Sequence, residues 1–428
     1  MPVKHKSKRD GKVSASAAIP IATSGEVFDG AMIELVRDIT TQSLRLLLWD
    51  GAKETVGPLV EYKRRFYEPV AMSRSLLREL TLPTHSSPHG TTCALLAEIC
   101  KLAADFILLP EKLASLVGRV VLASWLLEAA QIAPALAIIG PDISRGTQLL
   151  DLLHCLCRHP VRMTGVTPAG LCSLPTGLGC TLLISQPTIS DKMQRLLADA
   201  SRRDQKIPYR GGLLDLHGCQ AIHSESDLEN GPWSFRYLQI PILITGQRIP
   251  VLDASIQNRI ASEFQAKLLD FRRANLGKAC GTRFDAASFS HPLRPLVQSL
   301  AAATPDDVDL QAEVGELLRE EEKDARSAKW LDFDTVMIEA ILVACKEKKG
   351  PFAYVGDLAK IAQEIWKRRG KNADIDPGEF GKKLKALGFT TEPRDAKGIK
   401  LELTQSVCSR AHQLARDFGV PEAENGER

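Results

Sequence analysis

The chain is poor in aromatic side chains, which make up 5% of its 428 residues. That argues against a carbohydrate-binding or base-stacking surface as its main business. It also lacks net charge: Lys and Arg number 55 against 52 Asp and Glu, a balance of +3 that names no partner. No apolar run reaches the roughly 18 residues that cross a bilayer, so no membrane contact is expected. The charged N-terminus lacks the apolar segment of a secretory signal. The ten cysteines are scattered rather than dense, so free thiols in a reducing cytoplasm are expected instead of a disulfide scaffold. What is present suits a folded protein: 44% apolar and 25% charged residues, at a length that suggests about two or three domains.

Five segments follow from the pattern. Residues 1–25 read as a disordered basic tail (Lys4, Lys6, Lys8, Arg9, Lys12) without periodicity. Residues 26–90 read as a small β-rich region, with strands at Met32–Val36 and Leu44–Trp49 and a short helix at Ser73–Leu80. Residues 91–303 alternate helices with short apolar runs. Helices are expected from Thr91, over 112–130, over Gln148–Cys157, over 191–200 and over 256–275. Strands are expected at Pro134–Ile139, Thr181–Ile184 and Ile240–Ile244. Continuous apolar strands separated by helices predict an α/β fold with a parallel sheet buried on both faces. Residues 304–330 are charge-dense and read as a partly helical linker; residues 331–428 read as a separate unit.

The strongest local constellation is Gly140-Pro141-Asp142-Ile143-Ser144-Arg145-Gly146-Thr147, between a strand and a helix. A phosphate-binding loop needs that setting, because its glycines let backbone N–H groups face a phosphate at the positive end of a helix. Gly140 and Thr147 stand at the separation of the G-x-x-x-x-G-K-[ST] pattern. Arg145-Gly146 stands where Gly-Lys is usual, and arginine is no equivalent of lysine at a tightly wrapped phosphate. The strand Thr181–Ile184 ends in Ser185-Gln186, where phosphoryl transfer needs a carboxylate near Mg²⁺. Both are neutral and cannot hold a cation. Thr245 follows the strand at 240–244 in the place of a γ-phosphate sensor, and Arg259 follows in that of an arginine finger.

In this order the chain resembles, over roughly residues 30–275, the P-loop, AAA-like helicase- and primase-associated ATPases of phages, plasmids and integrated elements. The resemblance implies a P-loop NTPase-like sheet flanked by helices, ATP or another nucleotide as ligand with Mg²⁺ beside it, and work on DNA. It implies a degenerate nucleotide site at Gly140, Ser144, Arg145, Gly146, Thr147, Ser185, Gln186, Thr245 and Arg259, in which Gly140 and Thr147 match the loop and Arg145, Gly146, Ser185 and Gln186 occupy positions that do not match. Since the charged machinery is missing, no residue is assigned as catalytic or metal-ligating.

In the C-terminal unit, Asp376-Pro377 caps a helix over 379–387 that Gly388 stops, and a hairpin turns at 395–398. Three helices and a hairpin make a winged helix-turn-helix, similar to the modules that close many mobile-element replication proteins. Residues 346–400 hold fourteen Lys and Arg against eight Asp and Glu. Lys382, Lys383 and Lys385 on the helix, with Arg394, Lys397 and Lys400 on the wing, are the candidate DNA contacts, suited to phosphates more than base edges.

His154-Cys155-x-Cys157-x-His159 suggests zinc, but positions two apart on a helix do not share a face, and a second C-x₂-C pair is missing. His217 and His223, near Asp215 and Glu225, offer a hydrolytic constellation without a nucleophile. Three readings remain open. The first is a DNA-associated replication or mobile-element protein with a non-hydrolysing core. The second is an active DNA-dependent ATPase or helicase in which Arg145 replaces lysine and a carboxylate such as Asp191 serves Mg²⁺. The third is a docking scaffold. The expected partners are DNA, proteins of a replication or mobile-element complex, and a second copy of the chain.

Overall fold

Strand by strand, the N-terminal region is built on short turns. The computed structural model describes residues 19–174, 177–225, 237–243, 248–290, 293–319, 333–347, 350–369, 374–396 and 398–418. They fall into two compact units, residues 1–286 with 294–317, and residues 287–293 with 318–428. Of the tail expected over 1–25, residues 1–18 lie outside the described residues, as do 320–332, while Ile21–Thr23 form a strand.

The first unit opens with β1 (Ile21–Thr23), β2 (Gly25–Phe28), β3 (Ala31–Arg37), β4 (Leu44–Trp49), β5 (Glu54–Gly57), β6 (Val60–Tyr62) and β7 (Arg65–Pro69). β2 to β5 form an antiparallel meander, while β7 lies between β1 and β6. Helix α1 (Arg74–Glu79) follows. Ile33, Leu35, Leu46 and Leu48 share one core with Ala135, Ala137, Leu182 and Ile184 from the strands further on.

Helices α2 (Thr92–Ile107) and α3 (Glu111–Trp125) precede the central sheet. The helix expected over 112–130 stops at Trp125, with a separate 3₁₀ turn at Leu127–Ala129. The sheet elements are β8 (Ala135–Ile139), α4 (Ile143–Leu156), β9 (Pro160–Thr164), α5 (Pro168–Leu171), β10 (Thr181–Ser185) and α6 (Asp191–Ala200). The hairpin β11 (Ile207–Tyr209) to β12 (Gly212–Leu214), β13 (Gln220–Ser224) and β14 (Tyr237–Pro241) complete them. β14, β8, β13, β10 and β9 form a five-stranded, wholly parallel sheet in that order. β8, β10 and β13 are buried almost along their length, which requires helices on both faces. Helix α4 packs on β9, β10 and β13, and α7 (Ala254–Gly281) packs on α4. Helices α8 (Arg294–Ala302) and α9 (Val308–Leu317) complete the unit. The stretch expected to start a linker at 304 thus carries α9, which packs on α8.

A buried ion cluster fastens the meander to this layer. Glu34, 1% exposed on β3, receives Arg158 Nε at 2.9 Å and His159 Nε2 at 3.0 Å, and Arg272 Nε lies 2.8 Å away. Arg272 also clamps Glu128 with two contacts of 2.7 Å. Burial alone would raise both carboxyl pKa values. The neighbouring arginines override it, holding Glu34 far below the usual carboxylate range and Glu128 at about 2. Removing one member of such a cluster strands the others and costs about 3–5 kcal/mol.

In the second unit, α10 (Phe333–Glu347), β15 (Phe352–Tyr354), α11 (Val355–Arg368), α12 (Pro377–Ala386), β16 (Glu392–Asp395), β17 (Gly398–Glu402) and α13 (Gln405–Phe418) follow in order. β17 lies between β15 and β16, antiparallel to both. Asp376 caps α12 by accepting from Glu379 N at 3.0 Å. Val336, Ile341, Leu358, Trp366, Phe380, Leu384, Leu401 and Ala411 form its core. No helix among the described residues is long and apolar enough to cross a membrane.

Candidate functional site

Open parallel sheets take ligands at the carboxyl ends of their strands. Here β8, β13 and β10 end side by side. β8 reaches α4 through Gly140, Pro141 and Asp142 alone, so the helix starts at Ile143 rather than at the expected Gln148. The reason is the cap: Asp142 Oδ1 accepts from Arg145 N at 3.1 Å. Arg145, Gly146 and Thr147 are consequently helical residues, not a loop. A link this short leaves few backbone amides to wrap a phosphate. Gly140 N donates to Ser224 O at 3.2 Å and Gly146 N to Asp142 O at 3.0 Å, and Pro141 has no N–H. The positive helix end, where a phosphate would sit, already faces the Asp142 carboxylate.

Gly140 is required on other grounds. Its φ is +148°, and a Cβ there would stand 1.9 Å from the Ile242 carbonyl oxygen. The glycine therefore serves the close approach of the chain leaving β14.

Arg145 does not offer its charge to a ligand. It is buried; Nε and Nη2 donate to Ile107 O at 3.2 and 2.8 Å, and Nη1 to Leu243 O at 2.7 Å. The cation expected at the phosphate instead ties the end of α2 to the segment after β14. Gln148 reinforces it, donating to Phe106 O at 2.7 Å and Pro250 O at 2.8 Å.

Gly146 lies under an imidazole. A Cβ there would stand 2.2 Å from His223 Nε2. His223 is buried on β13, with Nδ1 3.4 Å from Ser185 Oγ and no partner on Nε2 among the described residues. Burial lowers its pKa against the opposing pull of Glu225 and Asp142, so the ring is neutral near pH 7. Ser185 therefore faces a neutral ring. Gln186 is committed to its own loops, accepting from Val166 N at 3.0 Å and donating to Thr188 O at 3.1 Å.

The remaining candidates do not join this cluster. Ser144 is exposed and Thr147 half-buried on α4; Asp191 is exposed in the first turn of α6, and Arg259 is exposed on α7. Thr245 lies outside the described residues. The strand before it, expected at 240–244, is β14 at Tyr237–Pro241, on the edge of the sheet. The strand between β8 and β10 is β13, which the pattern misses because Gln-Ala-Ile-His-Ser is neither an apolar run nor an alternation. The polar residues beside the β8 end are thus His223 and Ser224.

The zinc reading loses its geometry. His154 contacts Thr81 and Glu79 O at 3.2 and 2.7 Å, Cys155 Sγ donates to Asp151 O at 3.2 Å, and His159 turns to Glu34. No group of three or more metal-ligating side chains occurs among the described residues. Burial pushes the Cys155 and Cys157 thiols up to about 12, and the His217 imidazole down to about 4.

In the second unit, Lys382 and Lys385 are exposed on α12, away from buried Phe380 and Leu384. Lys383 is 3.0 Å from Asp334. Lys400 is 3.1 Å from Glu392, whose hydrogen bond raises its pKa, and lies over the Phe352 ring. Arg394 lies in β16; its side chain, and Lys397, are outside the described residues.

No family model matches the chain, and no curated protein matches it. Among solved structures it is similar to the apo C-terminal region of NrS-1, with 13% identity and a TM-score of 0.36 over 86% of this chain and 96% of that one. It is similar to "SCCmec type IV Cch - active helicase", with 10% identity and a TM-score of 0.39 over 92% and 96%. A full-length MCM homolog from Methanopyrus kandleri gives 12% identity and a TM-score of 0.33 over 68% and 77%. Similarity at this level leaves the function to be read from the chain's own residues.

Proposed function

We propose that the chain is a DNA-associated, AAA-like protein of the replication or mobile-element type whose core neither holds nor hydrolyses a triphosphate. The strand order supports the family part. Counted from β8, the sheet reads fifth, first, fourth, third, second strand, all parallel and with helices packed on it, consistent with the P-loop NTPase-like sheet that the resemblance implies. The mobile-element part rests on the sequence resemblance alone. The helix, strand, helix, helix and hairpin of residues 333–402 support a winged helix-turn-helix, with α12 as the helix that would enter a groove and Lys382 and Lys385 as its phosphate contacts.

One observation carries the non-hydrolysing part: the space a phosphate needs is filled from both sides, by the Asp142 cap and by His223 packed on Gly146. No cation reaches it from Arg145, and no carboxylate stands at Ser185-Gln186 to organise Mg²⁺. The test is ATP hydrolysis by the full chain with and without duplex DNA. The expected result is no turnover in either case, together with salt-dependent DNA binding. Turnover stimulated by DNA would establish the active-ATPase reading in its place.

A further inference from the structure

The β6–β7 hairpin closes on two residues, Lys63 and Arg64, because Tyr62 pairs with Arg65. Both have positive φ, +49° and +65°. That is a type I′ turn, in which Asn-Gly or Asp-Gly is the usual choice. Lysine and arginine carry a Cβ against the left-handed conformation, which the usual residues tolerate better. Strain at an exposed tip points to a use for the side chains themselves.

The electrostatics agree. Lys63, Arg64 and Arg65 are all exposed, and none of them forms an ion pair among the described residues. In the same unit Arg45, Arg162, Lys206, Lys267 and Arg273 are each held by a carboxylate, while Arg74, Arg78, Lys101, Lys192 and Arg259 are exposed without an ion pair among the described residues; what sets the turn apart is three such cations in succession. The base of the turn is fixed: the Tyr62 ring stacks 4.6 Å from Phe28, and Lys63 Nζ lies 5.1 Å from the Tyr62 ring centre. The two-residue turn between β11 and β12 repeats the device, with Arg210 at φ +48° and its guanidinium 5.1 Å from the Tyr209 ring.

We propose that the Lys63–Arg65 turn is a contact for the phosphate backbone of duplex DNA, separate from residues 333–418. Its own side chains present three cations and no apolar surface, which suits consecutive phosphates and carries no sequence information. A stiff turn also loses little freedom on binding. The proposal shares with the reading above only that the chain meets DNA; it places a contact where that reading has none.

The test uses the full chain with Lys63→Asn and Arg64→Gly together. This keeps the turn type, gives it favoured residues and removes two charges. Binding to a short duplex of arbitrary sequence is followed by fluorescence anisotropy across a salt series. The log–log salt slope is expected to fall by about 1.8, at roughly 0.9 per phosphate contact, while the thermal midpoint rises. The charge-keeping swap Lys63→Arg with Arg64→Lys is expected to bind as the parent does. Equal slopes for the neutral variant and the parent would overturn the proposal. If only Lys382→Gln with Lys385→Gln lowers the slope, the turn has no role and the second-unit contact stands. If only the turn variant lowers it, the converse holds. Loss of binding to phosphatidylserine vesicles with DNA affinity unchanged would assign the turn to a membrane surface and also overturn it.

Discussion

His223 lies so close over Gly146 that a methyl group on residue 146 would stand 2.2 Å from its Nε2. One residue is on β13 and the other on α4, so the contact locks strand to helix at the edge where a nucleotide would enter. Gly146→Ala should therefore destabilise the protein by about 1–3 kcal/mol, the usual cost of overpacking. Adding His223→Ala should recover part of that loss. A double-mutant cycle by urea denaturation reads the coupling. Strictly additive single effects would separate the two residues.

The Glu34 cluster gives a second prediction. Glu34→Gln leaves Arg158 and Arg272 buried against a neutral amide and should cost about 3–5 kcal/mol. The pH dependence follows from the lowered carboxyl pKa values of Glu34 and Glu128. A group more acidic in the folded than in the unfolded chain stabilises the fold above its unfolded value, near 4.5. That contribution is lost as pH falls toward the folded value, about 2 for Glu128. Urea midpoints should begin to decline below about pH 6.5, where the unfolded chain protonates histidines that the fold keeps neutral, His217 and His223 among them; they should fall further below about pH 4.5, and that second fall should be shallower in Glu34→Gln. An equally steep fall in the variant would assign acid sensitivity to other carboxylates.

These two clusters show why the sequence is only partly legible. The apolar strands β8 and β10 announce themselves because burial on both faces demands continuous aliphatic runs. β13 does not, since its Gln220, His223 and Ser224 are buried polar residues whose partners lie far away in the chain: Leu197, Ser185 and Pro187. The phosphate-loop spacing of Gly140 and Thr147 is visible, but the meaning of each glycine is not. Gly140 answers to the Ile242 carbonyl and Gly146 to an imidazole, both tertiary neighbours. Glu34 reads as one acid in an apolar strand until Arg158 and Arg272 arrive from over a hundred residues away.

Thiol reactivity tests the burial of the central layer. Burial pushes Cys155, Cys157 and Cys180 up to about 12 and Cys219 well above its usual value, leaving almost no thiolate near pH 8. Cys93 is exposed. Labelling the native protein with a maleimide and mapping the sites by mass spectrometry should mark Cys93 first and leave those four unmodified until denaturant is added. Early labelling of Cys157 or Cys219 would mean that the sheet opens.

In the second unit, the lysines should not be equal. Lys382→Gln with Lys385→Gln should lower the salt slope of DNA binding by about 1.8. Lys400→Gln should change it less, because Glu392 already holds that ammonium. A larger effect from Lys400 would mean that the ion pair breaks on DNA.

The proposal that the phosphate site is closed is tested by equilibrium dialysis of the full chain against labelled ATP with Mg²⁺. No saturable binding is expected up to about 1 mM, that is, an affinity weaker than roughly −4 kcal/mol. A micromolar dissociation constant, near −8 kcal/mol, would mean that Asp142 and His223 give way to a triphosphate, and would contradict the proposal.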